Sequence, residues 1–553
     1  MPEETGRILH LPRFLVIERF AIIATVRQRQ WIVVLWACFL ARLLFYSAML
    51  PLWEGYDEWS HFAVVRQMVF GGHVLVSREA AIPRDVEASL QLAPVPWELR
   101  SFPAPALTQD EYWKLPAEER ARRRLALRTM PHSWGREEGT GGLQAYEALQ
   151  PPLYYWVMVP VLWLFREYGL LAQVLALRFF SSLIASMVVP FVFLVGQEVW
   201  DDRRIALATA AIVALMPGLA LDVARVGNDG LAVPLFTLLT WLAVKAARRG
   251  MDLKLAAAIG FVLAFGLLTK AYFLTAIPAI LTVGWAARRR LADLLRTLPA
   301  FGIAIAFAGW WYVRNMRATG TLSGLSEAVM LRHMNAFEMV RKATEINWLK
   351  AVDSIFFSHL YFGGWSSLTV RSWMYHVLYI GILLAAIGVF RTIRRPGIPA
   401  LLAVYLCFWI GQVYNVVLLY LSKGLAGSMG WYMYAVVGAE VTLCVAGLRS
   451  LLPRRASHWV PVTGAALFAL LDVYTVHAVA ISYYTGIIRH RGNGGLEALH
   501  WVGLRSAGIG ELVDRLCGFV PPPLLVGMWL LYLGGIAGAF ACSSIQESPH
   551  KDP

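Results

Sequence analysis

The chain has 553 residues, of which 58% are apolar and only 16% are charged, and its mean hydropathy is +0.55. Soluble domains carry about 25% charged residues. The composition therefore excludes a soluble, disordered or fibrous protein and indicates a polytopic membrane protein. The net charge of +14 does not indicate nucleic-acid binding, because the cytoplasmic loops of membrane proteins collect Lys and Arg. The five cysteines include no CxxC pair, so they predict neither a zinc site nor a disulfide framework.

Twelve apolar runs are long enough to be predicted as membrane-spanning helices, since one span needs about 20 residues. We therefore predict an all-α polytopic membrane protein with about twelve transmembrane helices (11–13). Its large outer-face loops are predicted to contain juxtamembrane helices. The predicted spans are 31–50, 179–199, 205–221, 231–247, 255–270, 271–287, 297–313, 373–390, 398–421, 431–448, 459–481 and 524–542.

Charge decides whether a thirteenth apolar run, 152–165, also crosses. This run is short and contains Pro160. If it does not cross, the short inner loops carry 16 Lys and Arg residues and the short outer loops carry 3, as the positive-inside rule requires. If it does cross, the bias reverses. We therefore predict that 152–165 lies at the outer surface and that both termini are cytoplasmic.

This topology divides the chain into segments and places every large loop on the outer side of the membrane. We therefore predict that the protein acts at the outer leaflet. Segment 325–352, in the second outer loop, has apolar residues at roughly helical spacing and is predicted to lie on the membrane face. The predicted segments are a cytoplasmic N-terminal segment (1–30), an N-terminal membrane module (31–313) with the first outer loop (51–178), a second outer loop (314–372), C-terminal membrane helices (373–481), a third outer loop (482–523), and the last span with a cytoplasmic tail (524–553).

An acidic cluster follows the first span directly, in the sequence Trp-Glu-Gly-Tyr-Asp-Glu-Trp-Ser-His-Phe at 53–62. It places Asp57, Glu58 and His61 close to the outer membrane surface. Like charges near a low dielectric raise the pKa of at least one carboxyl group, which makes that group a usable general base. The alternative interpretation is an interfacial belt of aromatic residues with solvated acids.

A short outer turn and a set of outward cations form the second group of candidates. The turn contains Asn228 and Asp229, for which a turn signal and a helix N-cap are sufficient structural explanations. Cations at outer turns are unusual and suit either a bound phosphate or the phosphates of surrounding lipids. The outward cations are Arg178, Arg225, Lys270, Arg314, Arg371 and Lys423.

In their order and sidedness, these motifs resemble the GT-C superfamily of membrane glycosyltransferases, which includes protein O-mannosyltransferases and the lipid A aminoarabinose transferase. Many bacterial members carry an Arg after Gly430, where this chain has Trp431. The likeness runs from about residue 30 to 450. It rests on the acidic motif, Pro-Pro-Leu-Tyr-Tyr at 151–155, Arg178, Asp229, Leu-Thr-Lys at 268–270, Gly-Trp-Trp-Tyr-Val-Arg-Asn at 309–315 with Gly320 and Gly324, and Gly-Trp-Tyr-Met-Tyr at 430–434.

The resemblance implies an inverting transferase that takes a sugar from a polyprenyl-phosphate donor. Asp57, or else Glu58, corresponds to the catalytic base, and Asp229 to the second acid. Lys270, Arg314 and Arg178 are the implied donor-phosphate ligands. The candidate substrate contacts are His61, Asn228, Tyr154 and Lys423.

The resemblance also implies the surroundings of the reaction. The protein is expected in a bacterial inner or plasma membrane among membrane lipids, with its active site on the periplasmic or extracellular side. The expected partners are a lipid-linked sugar donor and an acceptor that is an envelope glycan, a lipid or a protein, and no nucleic acid. No cofactor is required, although some members use a divalent metal, which Asp57 and Asp229 could hold.

Two other functions fit the same membrane topology. One is a flippase or transporter for a lipid-linked glycan, which predicts charges along an intramembrane path and internal symmetry; the sequence shows little of either. The other is a non-catalytic scaffold of the same fold that binds a glycolipid.

Overall fold

The computed structural model describes residues 13–101, 106–139, 142–200, 202–288, 295–499, 501–518 and 520–545. Within these ranges the protein is predominantly helical, as predicted, and the one named sheet is a parallel pair of dipeptides, Pro94–Val95 and Leu107–Thr108. Part of the predicted cytoplasmic segment 1–30 and the tail from residue 546 lie outside the described residues.

Eight described helical segments are long and apolar enough to cross a membrane, so the chain is an integral membrane protein. A ninth span is formed if the bent pair Arg203–Leu215 and Pro217–Val223, which meet at 63°, is taken as one. The predicted count of about twelve is therefore not confirmed. The eight segments are Gln30–Met49, Leu170–Val199, Asp229–Arg249, Ser372–Thr392, Ile398–Lys423, Gly430–Leu451, Arg454–Tyr484 and Pro522–Ser543.

Three predicted spans are absent from these segments and from the bent pair. The predicted span 297–313 falls on the helix Leu298–Thr319, which has 22 residues but is not among the eight apolar segments. The other two predicted spans correspond to shorter helices. The predicted spans 255–270 and 271–287 contain the helix Leu253–Leu267 and the apolar segment Ala271–Gly284. A helix of 15 residues is about 22 Å long, less than the roughly 30 Å of a hydrocarbon core. The helix Leu153–Leu164 is shorter still, and its place at the outer surface stays a prediction.

The predicted outer loops contain most of the remaining helices. The first loop has helices Glu58–Phe70, Arg84–Leu92, Gln109–Tyr112 and Ala117–Arg128, with 3-10 turns at Trp97–Leu99, His132–Arg136 and Tyr146–Leu149. The second loop follows the helix Leu298–Thr319 and has helices Ser326–Met330, Ala336–Ala343 and Trp348–Leu360, with a 3-10 turn at Gly364–Ser366. The third loop has the helix Trp501–Leu516.

The remaining elements subdivide the apolar segments. The segment Leu170–Val199 consists of helices Leu170–Ala185 and Val188–Val199. The segment Ala271–Gly284 opens with a 3-10 turn, Ala271–Thr275, and continues into the helix Ala276–Arg288. The late segments consist of a 3-10 turn at Gly430–Val436, helices Val437–Leu451, Arg454–Ser457 and Trp459–Tyr474, a π-helical turn at Thr475–Ala480 and the helix Ile481–Tyr484.

The apolar core holds one fully buried ion pair between the first span and the helix Trp459–Tyr474. The guanidinium of Arg42 lies 2.8 Å from the carboxylate of Asp472, and the Tyr46 hydroxyl donates to the same carboxylate at 2.6 Å. Burying two charges is costly unless they are paired and hydrogen-bonded. This contact therefore explains how a charged residue is accommodated inside the first span.

Candidate active site

The turn after the first span gives Asp57 an unusual backbone. Its φ is 56° and its ψ is 16°, in the left-handed region that non-glycine residues rarely occupy and that is often retained at functional sites. Asp57 holds the N-cap position of the helix Glu58–Phe70 but makes no side-chain cap hydrogen bond. Its carboxylate instead accepts a hydrogen bond from the Tyr146 hydroxyl at 2.5 Å.

Glu58 makes a different set of contacts from its neighbour. It is fully buried, and its two oxygens accept from Arg178 at 2.7 and 2.6 Å, with a third bond from the Val226 amide at 3.0 Å. Arg178 also donates to the carbonyls of Ser47, Leu50 and Pro51. This bidentate pair therefore joins the end of the first span to the turn at 224–228, and it occupies the guanidinium that was predicted to bind phosphate.

Asp229 lies at the centre of a cluster of charged side chains. It accepts from the Lys270 ammonium at 2.6 Å and from the Arg225 guanidinium at 3.1 Å. Arg225 also donates to Asp222 at 2.9 Å and to the carbonyl of Tyr56 at 2.7 Å. The predicted turn acid and hairpin lysine are thus in contact, and Arg225 links both to the residue before Asp57.

Lys270 is the cation of this cluster that remains partly accessible, with 12% of its side chain exposed. Its ammonium lies 5.3 Å from the ring centroid of Tyr272 and 4.9 Å from that of Tyr432. Asp229 is 2% exposed and Arg225 is 2% exposed. An incoming phosphate would therefore reach Lys270 before it reached the other two charges.

Glu147 adds a carboxylate that the sequence analysis did not select. Its Oε2 lies 3.6 Å from Nδ1 of His61, is buried, and has no hydrogen-bond partner. Its amide donates to the Ser60 hydroxyl, and its carbonyl accepts from Tyr155. The sequence gives only a weak indication of this role, because Glu147 is simply an acid just before the prolines that precede the helix Leu153–Leu164.

Burial sets the protonation of the carboxyl groups at this site. Burial, together with the charge of Asp57, raises the pKa of Glu147 to about 8. Burial also raises the pKa of Asp57, while the Tyr146 hydrogen bond and the charges of Arg225 and Lys270 oppose that rise. The pKa of Asp57 is therefore raised above that of an exposed aspartate, in the direction predicted for a base.

Glu54, the first acid of the sequence motif, connects two loops. It is buried and accepts from the amide and the hydroxyl of Ser366, each at 2.9 Å. Burial raises its pKa to about 8, although the Ser366 hydrogen bonds oppose the rise. The second outer loop is thereby fixed against the residues that precede Asp57.

Of the predicted substrate contacts, three lie beside the site and are engaged with the protein itself. Tyr154 accepts from the Gly227 amide at 2.9 Å, and Asn228 donates to the Thr269 carbonyl at 3.5 Å. His61 lies 2.9 Å from the Tyr155 hydroxyl. Their contacts support the turn at 224–228 and the Leu-Thr-Lys hairpin.

Arg314 and Lys423 are placed differently from the other candidates. Arg314 lies over the Trp311 ring and lines a cavity of about 510 Å³ with Arg66, His73 and Arg136. That cavity is not lined by Asp57, Asp229 or Lys270. Lys423 is half-exposed and pairs with Glu327 at 2.6 Å. The structure therefore does not bring these two cations into contact with the Asp229 cluster.

The described residues do not fit the divalent-metal site that Asp57 and Asp229 could have formed. Both oxygens of Asp229 accept from cationic groups, and Asp57 accepts from Tyr146. No group of three or more His, Cys, Asp or Glu with metal-binding geometry is found in the described part of the chain. A divalent ion would have to displace Lys270 and Arg225, so no step is derived through one.

Residues 149–312 match the family model of dolichyl-phosphate-mannose-protein mannosyltransferases. A 175-residue stretch is 30% identical to the undecaprenyl phosphate-alpha-4-amino-4-deoxy-L-arabinose arabinosyl transferase of Pseudomonas savastanoi pv. phaseolicola, covering 31% of this chain and 31% of that protein. The chain therefore matches less than a third of this relative's length. These matches confirm the predicted resemblance to GT-C membrane glycosyltransferases, and the family-model match includes Asp229 and Lys270 but not Asp57.

Two solved structures are similar to the whole chain at low identity. One is ArnT from Cupriavidus metallidurans bound to undecaprenyl phosphate, with a TM-score of 0.46 and 13% identity, covering 92% of this chain and 77% of that one. The other is the archaeal oligosaccharyltransferase AglB from Archaeoglobus fulgidus, with a TM-score of 0.35 and 12% identity, covering 93% of this chain and 56% of that one.

Proposed function

We propose that this protein is an inverting glycosyltransferase that moves a sugar from a polyprenyl-phosphate donor to a hydroxyl group of an acceptor. The observation that carries the proposal is the position of Asp57, a base candidate in a strained turn, next to the Asp229–Lys270–Arg225 cluster. A base and a phosphate-binding cation at one site are the two groups that this transfer requires. The mannosyltransferase family match over residues 149–312 supports the same reaction class.

In the proposed reaction Asp57 removes the proton of the acceptor hydroxyl. The hydroxyl oxygen forms a bond to the anomeric carbon of the sugar, on the face opposite the phosphate. The bond between that carbon and the phosphate oxygen breaks, and the polyprenyl phosphate leaves with the electron pair. Attack from the opposite face inverts the anomeric configuration. The Tyr146 hydroxyl, which donates to Asp57, orients the carboxylate for this role.

Lys270 is the group we assign to the departing phosphate. Charge builds on the phosphate oxygens as the bond breaks, so a fixed cation in a site with little water lowers the barrier. Asp229 fixes the Lys270 ammonium at 2.6 Å, and Arg225 neutralises the second oxygen of Asp229 at 3.1 Å. Asp229 and Arg225 are therefore positioning residues in this proposal.

Glu58 and Arg178 are assigned a positioning role as well. Their buried pair fixes the turn that carries Asp57 against the end of the first span. Glu147, which is buried next to His61, contributes a proton-holding carboxyl close to the base. Arg314 lines a different cavity, and we assign it no part in the transfer step.

The proposed orientation puts this site on the outer face of the membrane and both termini in the cytoplasm. Its support is the charge of the short loops in the topology of twelve predicted spans, with 16 Lys and Arg on one side and 3 on the other. The proposed donor is a lipid-linked sugar in the surrounding bilayer. The proposed acceptor is an envelope glycan, a lipid or a protein, and the reaction as written requires no cofactor.

The experiment uses the purified full chain in proteoliposomes. The donors are polyprenyl-phosphate sugars labelled in the sugar ring, and nucleotide sugars are the comparison donors. The proposal predicts transfer from the lipid-linked donors alone, with inversion at the anomeric carbon of the product. Transfer from nucleotide sugars alone, or passage of the lipid-linked label across the bilayer without transfer, would contradict it.

A further inference from the structure

Two arginines flank one buried tryptophan where three helices end. The guanidinium carbons of Arg395 and Arg449 lie 5.3 and 5.1 Å from the ring centroid of Trp200, which is 4% exposed. Each arginine is stabilised by its contact with the ring, but the two like charges repel each other. A counter-charge at this position would relieve that repulsion.

Two hydrogen-bond donors in this cluster have no acceptor. They are Nε1 of Trp200 and Nε of Arg449, both of which are buried. Buried donors are nearly always paired in folded proteins, because leaving one unpaired costs its full desolvation penalty. Together with the two guanidinium groups, they describe a place suited to an anion that accepts several hydrogen bonds, as a phosphate does.

Two described acids lie near Trp200 in the sequence, Glu198 and Asp202, and both make other contacts, while Asp201 lies outside the described residues. The charge of Asp202 also acts on Arg449. Glu198 accepts from Arg249 at 2.7 Å, and one oxygen of Asp202 accepts from the amide and Nε of Arg204 at 2.9 and 3.3 Å. Among the residues that the structure describes, neither Arg395 nor Arg449 forms an ion pair. The acceptor that this cluster needs is therefore not supplied by the described part of the protein.

The cluster is remote from the candidate active site. The helix Ser372–Thr392 begins just after Ser366, which binds Glu54, and Arg395 follows its other end. A helix of 21 residues is about 31 Å long, so the cluster lies near the opposite membrane surface. The helix Val437–Leu451 carries Arg449 at its end and packs directly on the helix Ser372–Thr392. The two backbones approach so closely that a Cβ on Gly388 would lie 2.0 Å from the carbonyl oxygen of Gly447.

We propose that Trp200, Arg395 and Arg449 bind the phosphate headgroup of an anionic membrane lipid. A lipid is favoured over free phosphate because apolar side chains beside the arginines would contact its acyl chains. Phe390 is 76% exposed and Ile393 is 42% exposed at the same helix end. Basic pockets between membrane helices bind anionic headgroups in this way. This site is separate from the transfer reaction proposed above and does not depend on it.

Lipid binding to the purified full chain tests the proposal, measured by native mass spectrometry with added phosphatidylglycerol, phosphatidylcholine or inorganic phosphate. The test variants are R395A/R449A, which removes both cations, and W200F, which keeps a ring but removes the Nε1 donor. The control is R454A/R455A, which removes the same charge from two exposed arginines of the next short helix. Melting temperatures identify any variant that fails to fold. If R395A/R449A fails to fold, R395A alone serves as the test, because it changes only an exposed side chain.

We expect one phosphatidylglycerol to bind wild type, with affinity at least about tenfold lower in R395A/R449A because both charge-assisted contacts are lost. W200F should lose a smaller factor, and R454A/R455A should bind like wild type. Phosphatidylcholine should bind more weakly, and millimolar phosphate should not displace the lipid. Equal phosphatidylglycerol affinity in wild type and R395A/R449A, or an equal loss in the control, would overturn the proposal. Displacement by inorganic phosphate would overturn the lipid assignment.

Discussion

The rings of Tyr56 and Trp431 are stacked, with their centroids 3.8 Å apart and their planes 7° from parallel. The Tyr56 hydroxyl donates to the Phe362 carbonyl at 2.8 Å, and the Tyr56 carbonyl accepts from Arg225 at 2.7 Å. Gly55 permits this approach, because a Cβ there would lie 2.5 Å from Cδ of Arg225. The residue before Asp57 is thus fixed by Phe362, by the 3-10 turn Gly430–Val436 and by the charged cluster.

The stack predicts that Trp431→Ala lowers both stability and sugar transfer. Removing a buried tryptophan costs about 3–5 kcal/mol, of which an aromatic pair accounts for about 0.5–1.5 kcal/mol. Trp431→Phe keeps a ring against Tyr56 and should retain most of the transfer rate. Melting temperature and transfer rate, measured on the same preparations, check this. If Trp431→Ala loses stability but keeps its transfer rate, the prediction that the stack supports sugar transfer is wrong.

Breaking the Glu58–Arg178 pair should destabilise the protein rather than remove a catalytic group. Glu58→Gln leaves a fully buried guanidinium without its counter-charge, which costs about 3–5 kcal/mol. The matched control is Glu167→Gln, which breaks an exposed pair with Arg136 and should change stability by less than about 1 kcal/mol. Thermal unfolding in detergent measures both. Equal small effects would contradict a positioning role for Glu58.

Lys270 should affect transfer much more than Lys423, although both were predicted from the sequence as outward cations. Lys270→Met removes the ammonium proposed to stabilise the departing phosphate and should lower kcat by about 10²–10³-fold. Lys423→Met removes a half-exposed partner of Glu327 and should change the rate little. Single-turnover transfer with a labelled lipid-linked sugar gives both rates. A large loss in Lys423→Met alone would show that the phosphate cation is misassigned.

The buried carboxyl group of Glu54 should make the stability of the folded protein depend on pH. Burial raises its pKa from 4.5 to about 8 in the folded protein, so the folded state keeps a proton that the unfolded chain releases. Stability should therefore fall as pH rises from about 4.5 to about 8 and level off above that. Glu54→Gln removes this contribution and should flatten the decline, in melting temperatures taken from pH 5 to pH 9. The same slope in wild type and Glu54→Gln would contradict the raised pKa.

The sequence predicted the membrane class and named Asp229 and Lys270, which the structure brings into contact, but it did not predict how the candidate residues are connected. The helical fold and the apolar runs follow from hydropathy, which is a local property of the sequence. The pairing of Glu58 with Arg178 spans 120 positions and depends on packing, so spacing cannot predict it. For the same reason the sequence grouped Arg178 and Arg314 with Lys270, although in the structure Arg178 pairs with Glu58 and Arg314 lines a different cavity.

Glu147 and the span count show two further limits. Glu147 becomes a site residue because its turn folds against His61 and Asp57, and no motif separates it from other acids of the first loop. The bounds of the predicted spans 255–270 and 271–287 were taken from the apolar composition of the sequence alone. A run of apolar residues does not show where a helix ends, and the helix Leu253–Leu267 ends before a lysine that the site uses.

The most direct test of the central claim is sugar transfer by Asp57→Asn, which keeps the size of the side chain but removes the base. Label transfer from a polyprenyl-phosphate sugar is measured in proteoliposomes with wild type and the variant, at equal protein and with matched melting temperatures. The proposed role of Asp57 predicts that the variant folds like wild type and that transfer falls by about 10²–10⁴-fold, the usual contribution of a general base. Transfer by Asp57→Asn at the wild-type rate would contradict the claim that Asp57 removes the acceptor proton.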